Sequence, residues 1–361
     1  MSASPQSSGL QWRRLPLLLL GALGLGAGLW AGLARLGVAS PPLDPLAHGP
    51  LMVSGFLGTV ISLERAVAAR KPWAYLGPLS CGLGTVAFLL GQPGPGAALL
   101  TLGSVVVLVV LTRVMVGEPV LHHGVLLLAA LSWLFGNVQL VLGRPVSQVV
   151  WAWMSFLVGT IAAERLELTR VLPRSRTAVV LFLCVLGLMI AGVVLGEVRV
   201  LFAGALGLAG WLFRYDLARR TVRQHGLTRF VAVALLVGYG WLAIAGVLGL
   251  AWGNPLAGPR YDALLHATFV GFVFSMIFGH APIIVPAVLG VRVPFHPRFY
   301  GHLVLLHASL VLRLAGDLTD QFALRRIGAW GNVVAIVLFL ASTALASARS
   351  TRAPVLRSAP V

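Results

Sequence analysis

Two histidines in one long apolar stretch are the residues of this chain whose type and spacing could carry chemistry. His266 and His280 stand fourteen positions apart in LLHATFVGFVFSMIFGHAPIIVPAVLG, with no charged residue between them. On an α-helix this interval is about 1400° of rotation and about 21 Å of rise, which predicts both imidazoles on one face, near opposite sides of a membrane. Histidine is costly at such depth, so the pair indicates function. Each imidazole could be an axial metal ligand.

The composition places these histidines in a multi-pass membrane protein. Of the 361 residues, 58% are hydrophobic and only 10% are charged, and the mean hydropathy is +0.92. A soluble chain of this length would carry more charge. The formal net charge of +17 does not indicate nucleic acid, because the basic residues lie between apolar segments, where they orient helices. The predicted partner is the lipid bilayer, and no nucleic acid is expected.

About twelve apolar windows of roughly 20 residues, the length that crosses a bilayer, predict an all-α polytopic fold. They lie near 15–37, 46–66, 74–92, 96–115, 120–142, 145–164, 177–196, 198–215, 230–252, 262–286, 299–316 and 326–347. With the N-terminus inside, twenty Lys and Arg residues fall in inner loops and six in outer loops. This asymmetry predicts cytoplasmic N- and C-termini in a bacterial inner membrane.

The same windows divide the chain into three parts. A disordered cytoplasmic N-terminus is predicted at 1–14, a single twelve-helix membrane domain at 15–347, and a cytoplasmic C-terminal tail at 348–361. A weak repeat relates FLGTVISLER, ending at Arg65, to FLVGTIAAER, ending at Arg165. It suggests three four-helix units, and the adjoining Glu64 and Glu164 are predicted to form interfacial ion pairs.

Helix packing and helix starts also leave signals in the sequence. Gly24, Gly28 and Gly32 form a small-xxx-small stripe on the first helix, which predicts close packing against a neighbouring helix. Asp44 and Asp262 precede the second and tenth helices and are predicted to be N-terminal caps.

Topology sorts the histidines by depth. The second and tenth helices both run from outside to inside, so His48 and His266 are expected at similar levels near the outer face. One histidine from each helix is what a six-coordinate haem needs. Further metal-site candidates for a second haem or copper lie toward the inner side: His280, His302, His307, His122 and His123. His302 and His307 are about 140° apart on one helix, so they cannot both face the same metal.

Arg313 is the one basic residue predicted inside a membrane helix. It could bind a haem propionate through a charge-assisted hydrogen bond. It could equally pair with Asp317, four residues further along the same helix. The sequence leaves both roles open.

Two short motifs carry a resemblance to known families. His48-Gly-Pro-Leu-Met resembles the start of the second helix in subunit I of haem-copper oxidases, where the matching histidine ligates the low-spin haem. The segment that begins His266-Ala-Thr-Phe-Val-Gly resembles the tenth helix of that family and the His-Ala-x-x-x-Gly segment of NnrS-type proteins. NnrS-type proteins are twelve-helix haem- and copper-containing membrane proteins associated with nitric oxide stress in denitrifying bacteria. The resemblance implies haem b and a respiratory or denitrification redox partner.

The chain departs from the oxidase pattern at the copper site. The sixth helix carries Trp151 and Trp153 where an oxidase places its copper-binding histidine and tyrosine, and the predicted seventh helix contains no histidine. Oxygen reduction at a haem-copper centre is therefore not expected, whereas NnrS-like haem binding does not require those ligands.

Three functional hypotheses follow. The first is a haem protein that acts in redox chemistry, electron transfer or nitric oxide stress. The alternative is a twelve-helix secondary transporter without haem, in which Pro282 and Pro286 could break the tenth helix. The third is an assembly or scaffold protein whose histidines are structural. The sequence does not decide whether the protein is an enzyme.

Overall fold

The computed structural model describes residues 11–38, 43–171 and 175–352, and these residues form helices and loops with no β-strand. Twelve long helical segments follow one another. They are α1 Leu15–Ala34, α2 Pro45–Ala69, α3 (Pro72–Tyr75 with Leu76–Leu89), α4 Pro93–Gly117, α5 Leu121–Val141, α6 Val146–Leu168, α7 Arg176–Leu195, α8 Val198–Tyr215, α9 Gly226–Trp252, α10 Gly258–Leu289, α11 Phe299–Leu318 and α12 Phe322–Arg352.

Eleven of these segments are long and apolar enough to cross a membrane, α3 being the shorter exception among the described residues. The all-α, multi-pass fold is therefore confirmed, and each predicted window corresponds to one segment. The cytoplasmic position of the termini and the grouping into three units stay predictions.

The ends of the described chain differ from the predicted boundaries. Residues 1–10 and 353–361 lie outside the described residues, so the disordered N-terminus and the cytoplasmic C-terminal tail stay predictions there. Trp12–Arg14 form a 3-10 turn rather than part of a tail. The backbone N–H of Gln11 donates to the Leu289 carbonyl at 2.9 Å, and an Arg14 guanidinium N–H donates to Val288 O at 2.6 Å. This segment thus satisfies carbonyls at the end of α10, where no intrahelical partner exists.

The glycine stripe of α1 packs against α2, as predicted. A Cβ atom built on Gly24 would lie 3.0 Å from Phe56 N, and one on Gly28 would lie 2.6 Å from Met52 Sδ. The Gly24 contact is with the backbone of α2, so the small residues of α1 let the two helix backbones approach closely.

Both α2 and α10 contain a π-helical segment that begins within three residues after a histidine, His48 in α2 and His266 in α10. In α2 it spans Leu51–Leu57, and in α10 it spans Ala267–Phe274. A π-turn closes i→i+5 and takes in one more residue than an α-turn, so rotation per residue falls below about 100°. The prediction that His266 and His280 share one face assumed an α-helix throughout, and the π-segment between them removes its basis.

The tenth helix is not interrupted at its prolines. It continues as α-helix over Ser275–Leu289, with Pro282 and Pro286 inside it. The change in helix type in α10 lies earlier, next to His266.

Ion pairs join α2, α6 and the chain after α8. Arg65 of α2 contacts Glu164 of α6 at 2.5 Å, so the ion pair predicted for Glu164 forms across the two repeat segments. Arg165 Nε donates to Asp216 Oδ2 at 2.8 Å, and both side chains are buried. Of the candidate spans, α6 is the most enclosed, with 83% of its apolar window buried. The two ion pairs join its C-terminal end to α2 and to the chain after α8.

Candidate functional site

The imidazoles of His48 and His266 lie opposite each other between α2 and α10. Their ring centroids are 6.4 Å apart and their planes differ by 18°. His48 lies three residues before the π-segment of α2, and His266 lies directly before the π-segment of α10. The structure therefore brings together the two residues that the sequence predicted to share one level of the membrane.

Each of the two rings is held through its Nδ1 atom. His48 Nδ1 lies 2.7 Å from the Gly28 carbonyl oxygen, and His266 Nδ1 lies 2.8 Å from the carbonyl oxygen of Asp262. A carbonyl oxygen can only accept, so Nδ1 carries the proton in both neutral rings and Nε2 keeps its lone pair. Metal-binding histidines characteristically have their second nitrogen bonded in this way.

The distance between the ring centroids is compatible with one metal atom bound by both Nε2 atoms. An imidazole nitrogen binds a metal at about 2.0–2.1 Å, and roughly 1.1 Å more separates that nitrogen from the ring centroid, which gives about 6.2–6.4 Å between two coaxial ligands. The observed 6.4 Å matches this value.

Both histidines line a cavity of about 270 Å³ at the end of the bundle that the charge pattern predicts to face outside. Most of the lining is apolar, and the polar lining includes Arg35, Tyr261, Asp262, Arg313, Arg325 and Asn332. Phe56 and Phe274 follow the two histidines by eight residues each, and their ring centroids lie 6.3 Å apart. A flat apolar group with acidic substituents would match this lining.

Asp262 links the candidate ligand His266 to Arg313. Arg313 Nε and NH2 donate to the two Asp262 carboxylate oxygens at 2.7 and 2.8 Å, and Asp262 Oδ1 also lies 3.3 Å from His266 Nδ1. A carboxylate in this position orients a histidine ligand and increases its basicity.

These contacts correct two predictions. Arg313 does not pair with Asp317, whose Oδ1 accepts from Arg325 Nε instead. Asp262 is not an N-cap, because α10 begins at Gly258 and Ala257 precedes it. The cap predicted at Asp44 is confirmed, since Asp44 Oδ1 accepts from Leu46 N at 2.9 Å. Arg313 still lines the cavity, and its role toward a propionate stays a prediction.

Sequence reasoning missed several residues of this site. Gly32 was assigned to packing alone, yet it directly adjoins the His48 ring. Arg35 and Tyr261 line the cavity without any motif that marks them. For Asp262, the position four residues before His266 is a usable signal, because i and i+4 side chains meet on a helix.

His280 and His307, which the sequence predicted for a second site, do not contact each other among the described residues and bond to other protein groups. His280 Nδ1 lies 2.8 Å from the Met276 carbonyl, and its Nε2 lies 3.4 Å from Arg165 NH1. Trp241 Nε1 donates to His307 Nδ1 at 3.0 Å, and His307 Nε2 lies 3.3 Å from Ser275 Oγ. Both nitrogens of each ring are thus engaged by protein groups.

His302 and the pair on α5 stand apart from these. The His302 ring is buried with the rings of Phe230, Phe278, Phe299 and Phe339 around it, and its Nε2 has no hydrogen-bond partner. The rings of His122 and His123 contact each other, with centroids 4.4 Å apart. In the described part of the chain, no group of three or more His, Cys, Asp and Glu side chains is placed to hold a metal ion. A second haem or copper site stays a prediction.

A hydrogen-bonded network occupies the region around Trp153. Trp153 Nε1 and Ser54 Oγ donate to Asn137 Oδ1 at 3.0 and 2.9 Å, and Trp133 Nε1 donates to Ser54 Oγ at 2.9 Å. All four side chains are buried. Each is satisfied by another protein group, so this network needs no metal to complete it.

The fold defines the protein as a multi-pass helical membrane protein. Residues 14–348 match the family model described as "Domain of unknown function (DUF8744)", and the chain belongs to that family. No curated protein and no solved structure matches the chain.

Proposed function

We propose that this protein binds one haem b between α2 and α10, with His48 and His266 as its two axial ligands. The observation that carries the proposal is the pair of neighbouring, nearly parallel imidazoles, 6.4 Å apart at their centroids, with both Nδ1 atoms bonded to carbonyls. Two neutral imidazoles on opposite sides of an iron are a recognised haem ligation.

This geometry supports a haem better than it supports a bare metal ion. Two nitrogens are too few for the common tetrahedral and octahedral sites, and the described residues offer no third ligand beside them. A macrocycle supplies four nitrogens of its own, and the apolar cavity walls and Phe274 suit a flat ring. Copper held by the two histidines alone is the competing occupant, and the iron and copper analysis described below distinguishes it from haem.

The chain's own residues define what the group would do there. When bound, the haem supplies one-electron chemistry. The carbonyls of Gly28 and Asp262 hold the two rings in fixed orientations. The Asp262 carboxylate increases the basicity of His266, and the apolar lining lowers the local dielectric, and both effects set the potential.

Two protein ligands would fill both axial positions, and this favours electron transfer over gas binding. We therefore propose a redox or electron-transfer role in a bacterial inner membrane, with a respiratory or denitrification protein as the redox partner. An NnrS-type role in nitric oxide stress is proposed on the motif resemblance alone.

The transporter hypothesis has less structural support. It rests on the twelve-helix layout that many carriers share. A break of α10 at Pro282 and Pro286 would have favoured it, but the helix continues through both residues. It makes a different spectroscopic prediction, since a carrier of this kind needs no haem.

The test is the visible spectrum of the purified protein, oxidised and then reduced with dithionite, together with iron and copper analysis. We expect low-spin haem bands and about one iron per chain. His48→Ala and His266→Ala should each lose the low-spin bands, whereas His123→Ala on α5 is the control and should keep them. Full low-spin haem in both site variants, or copper without haem in the wild type, would overturn the proposal.

A further inference from the structure

A second cavity of about 490 Å³ lies at the same end of the bundle as the histidine pair. It is bounded by the end of α5, the start of α6, the turn between α7 and α8, and the loop before α10. Its volume is within the range of small-molecule sites, roughly 300–1,000 Å³.

The lining of this cavity is uncharged. Its polar side chains are the three carboxamides of Gln139, Gln148 and Asn254, and Trp151 and Phe135 contribute aromatic surface. The remainder is aliphatic or glycine. A phospholipid headgroup would require cationic partners for its phosphate, so the chemistry favours a neutral ligand with an apolar body and hydrogen-bonding oxygens.

Trp151 forms a wall between this cavity and the histidine site. It lines the second cavity, and its ring centroid lies 6.0 Å from that of Tyr261, which lines the first cavity. Trp151 Nε1 is buried and has no hydrogen-bond partner. Because this atom has almost no accessible surface, Trp151 contributes its ring face to the cavity and not its N–H group.

We infer that this second cavity binds a quinone or quinol from the bilayer. The neutral carboxamides of Gln139, Gln148 and Asn254 suit the two carbonyl or hydroxyl oxygens of such a ring, the ring of Trp151 suits its face, and the aliphatic lining suits its tail. Binding itself does not depend on the proposed haem.

The electron transfer that would follow does rest on the proposed function. A quinol releases two electrons and two protons as it becomes a quinone. A haem held by His48 and His266 would accept one electron at a time, so the oxidation of one quinol would need two transfers, with the redox partner removing the first electron before the second arrives. Trp151 and Tyr261 lie between the two cavities. The two protons would leave through the open side of the cavity.

Binding is tested by calorimetric titration of the detergent-solubilised protein with decylubiquinone. Val194 lines the cavity and is 70% exposed, so Val194→Trp should fill it without disturbing the core and should weaken binding at least tenfold. Gln148→Leu removes one carboxamide of the lining at an exposed position and should weaken binding several-fold. Leu142→Trp, at a position that is 72% exposed and outside the lining, is the control and should bind as the wild type does.

Absence of binding, or unchanged binding by Val194→Trp, overturns the inference. So does native mass spectrometry that finds a phospholipid displaced by Val194→Trp with no quinone bound. A second measurement separates this inference from the haem proposal: anaerobic decylubiquinol should reduce the haem of the wild type but not of Val194→Trp, while dithionite reduces both. Quinone binding without any haem would contradict only the proposed function.

Discussion

Gly32 of α1 lies directly against the imidazole of His48. A Cβ atom built at this glycine would be 2.9 Å from both Cε1 and Nδ1 of the ring. Real side-chain contacts essentially never approach so closely, and the ring is already fixed by the Gly28 carbonyl. The first helix therefore both holds His48 and leaves the space that the ring occupies.

Gly32→Ala is expected to displace the His48 ring and to reduce haem occupancy by about tenfold, because small shifts in ligand position weaken metal sites strongly. The measurement is haem per chain by the pyridine haemochrome method. Gly26→Ala is the matched control on the same helix, since its added methyl group meets nothing within 4 Å. Equal haem contents in the two variants would contradict the assigned role of Gly32.

The Asp262 carboxylate gives a second prediction. Asp262→Asn keeps an oxygen for Arg313 but removes the negative charge beside His266, so the haem affinity should fall about 10–100-fold. The midpoint potential should rise, because the ferric state loses a negative charge that stabilises it. Redox potentiometry and haem titration measure these two effects.

The control for this change is Glu118→Gln. Glu118 is exposed, directly follows α4 and does not line the cavity, so the loss of its charge should leave the site unchanged. An Asp262→Asn protein with the potential and affinity of this control would show that the carboxylate does not act on the site.

The buried pair of Arg165 and Asp216 predicts a stability effect at the opposite end of the bundle. Arg165→Met would leave the Asp216 carboxylate buried without its cation, and breaking such a pair costs about 3–5 kcal/mol. Thermal unfolding in detergent should therefore show a clearly lower midpoint.

The comparison for Arg165→Met is Arg326→Met, which changes an exposed arginine at the start of α12. Its unfolding midpoint should stay close to that of the wild type. If the two variants unfold at the same temperature, the buried pair contributes little to stability.

The contacts of the inner histidines predict that they do not ligate the outer haem. His307→Ala and His280→Ala should retain the low-spin bands at wild-type intensity, since the nitrogens of both rings are engaged by Trp241, Ser275, Met276 and Arg165. Spectra and iron contents of the two variants check this expectation. Loss of half of the iron in either variant would instead place a second site at the inner end.

The all-α class and the number of apolar segments were predictable because apolar windows of membrane-spanning length are a direct consequence of bilayer thickness. The level shared by His48 and His266 was also predictable, since it depends only on the direction of two helices. The distance and the angle between the two imidazole rings could not be predicted, because no sequence pattern contains them.

What the sequence did not reveal depends on helix type and lateral packing. The π-segments changed the register of α10, and hydropathy carries no signal for an i→i+5 turn. The partner of Arg313 lies 51 positions away on another helix, so the local i, i+4 rule favoured Asp317 instead. The role of Gly32 required knowing which helix α1 faces.

The two candidate ligands are separated by 218 positions in the chain, and this has a consequence for biogenesis. During synthesis, His48 enters the membrane with the second helix, long before α10 exists. The proposed haem could therefore be captured by both candidate ligands only after α10 has been inserted, and Arg313 joins Asp262 only when α11 follows. Cofactor loading is thus expected late in assembly, and a chain truncated before α10 should insert into the membrane yet remain unable to acquire haem.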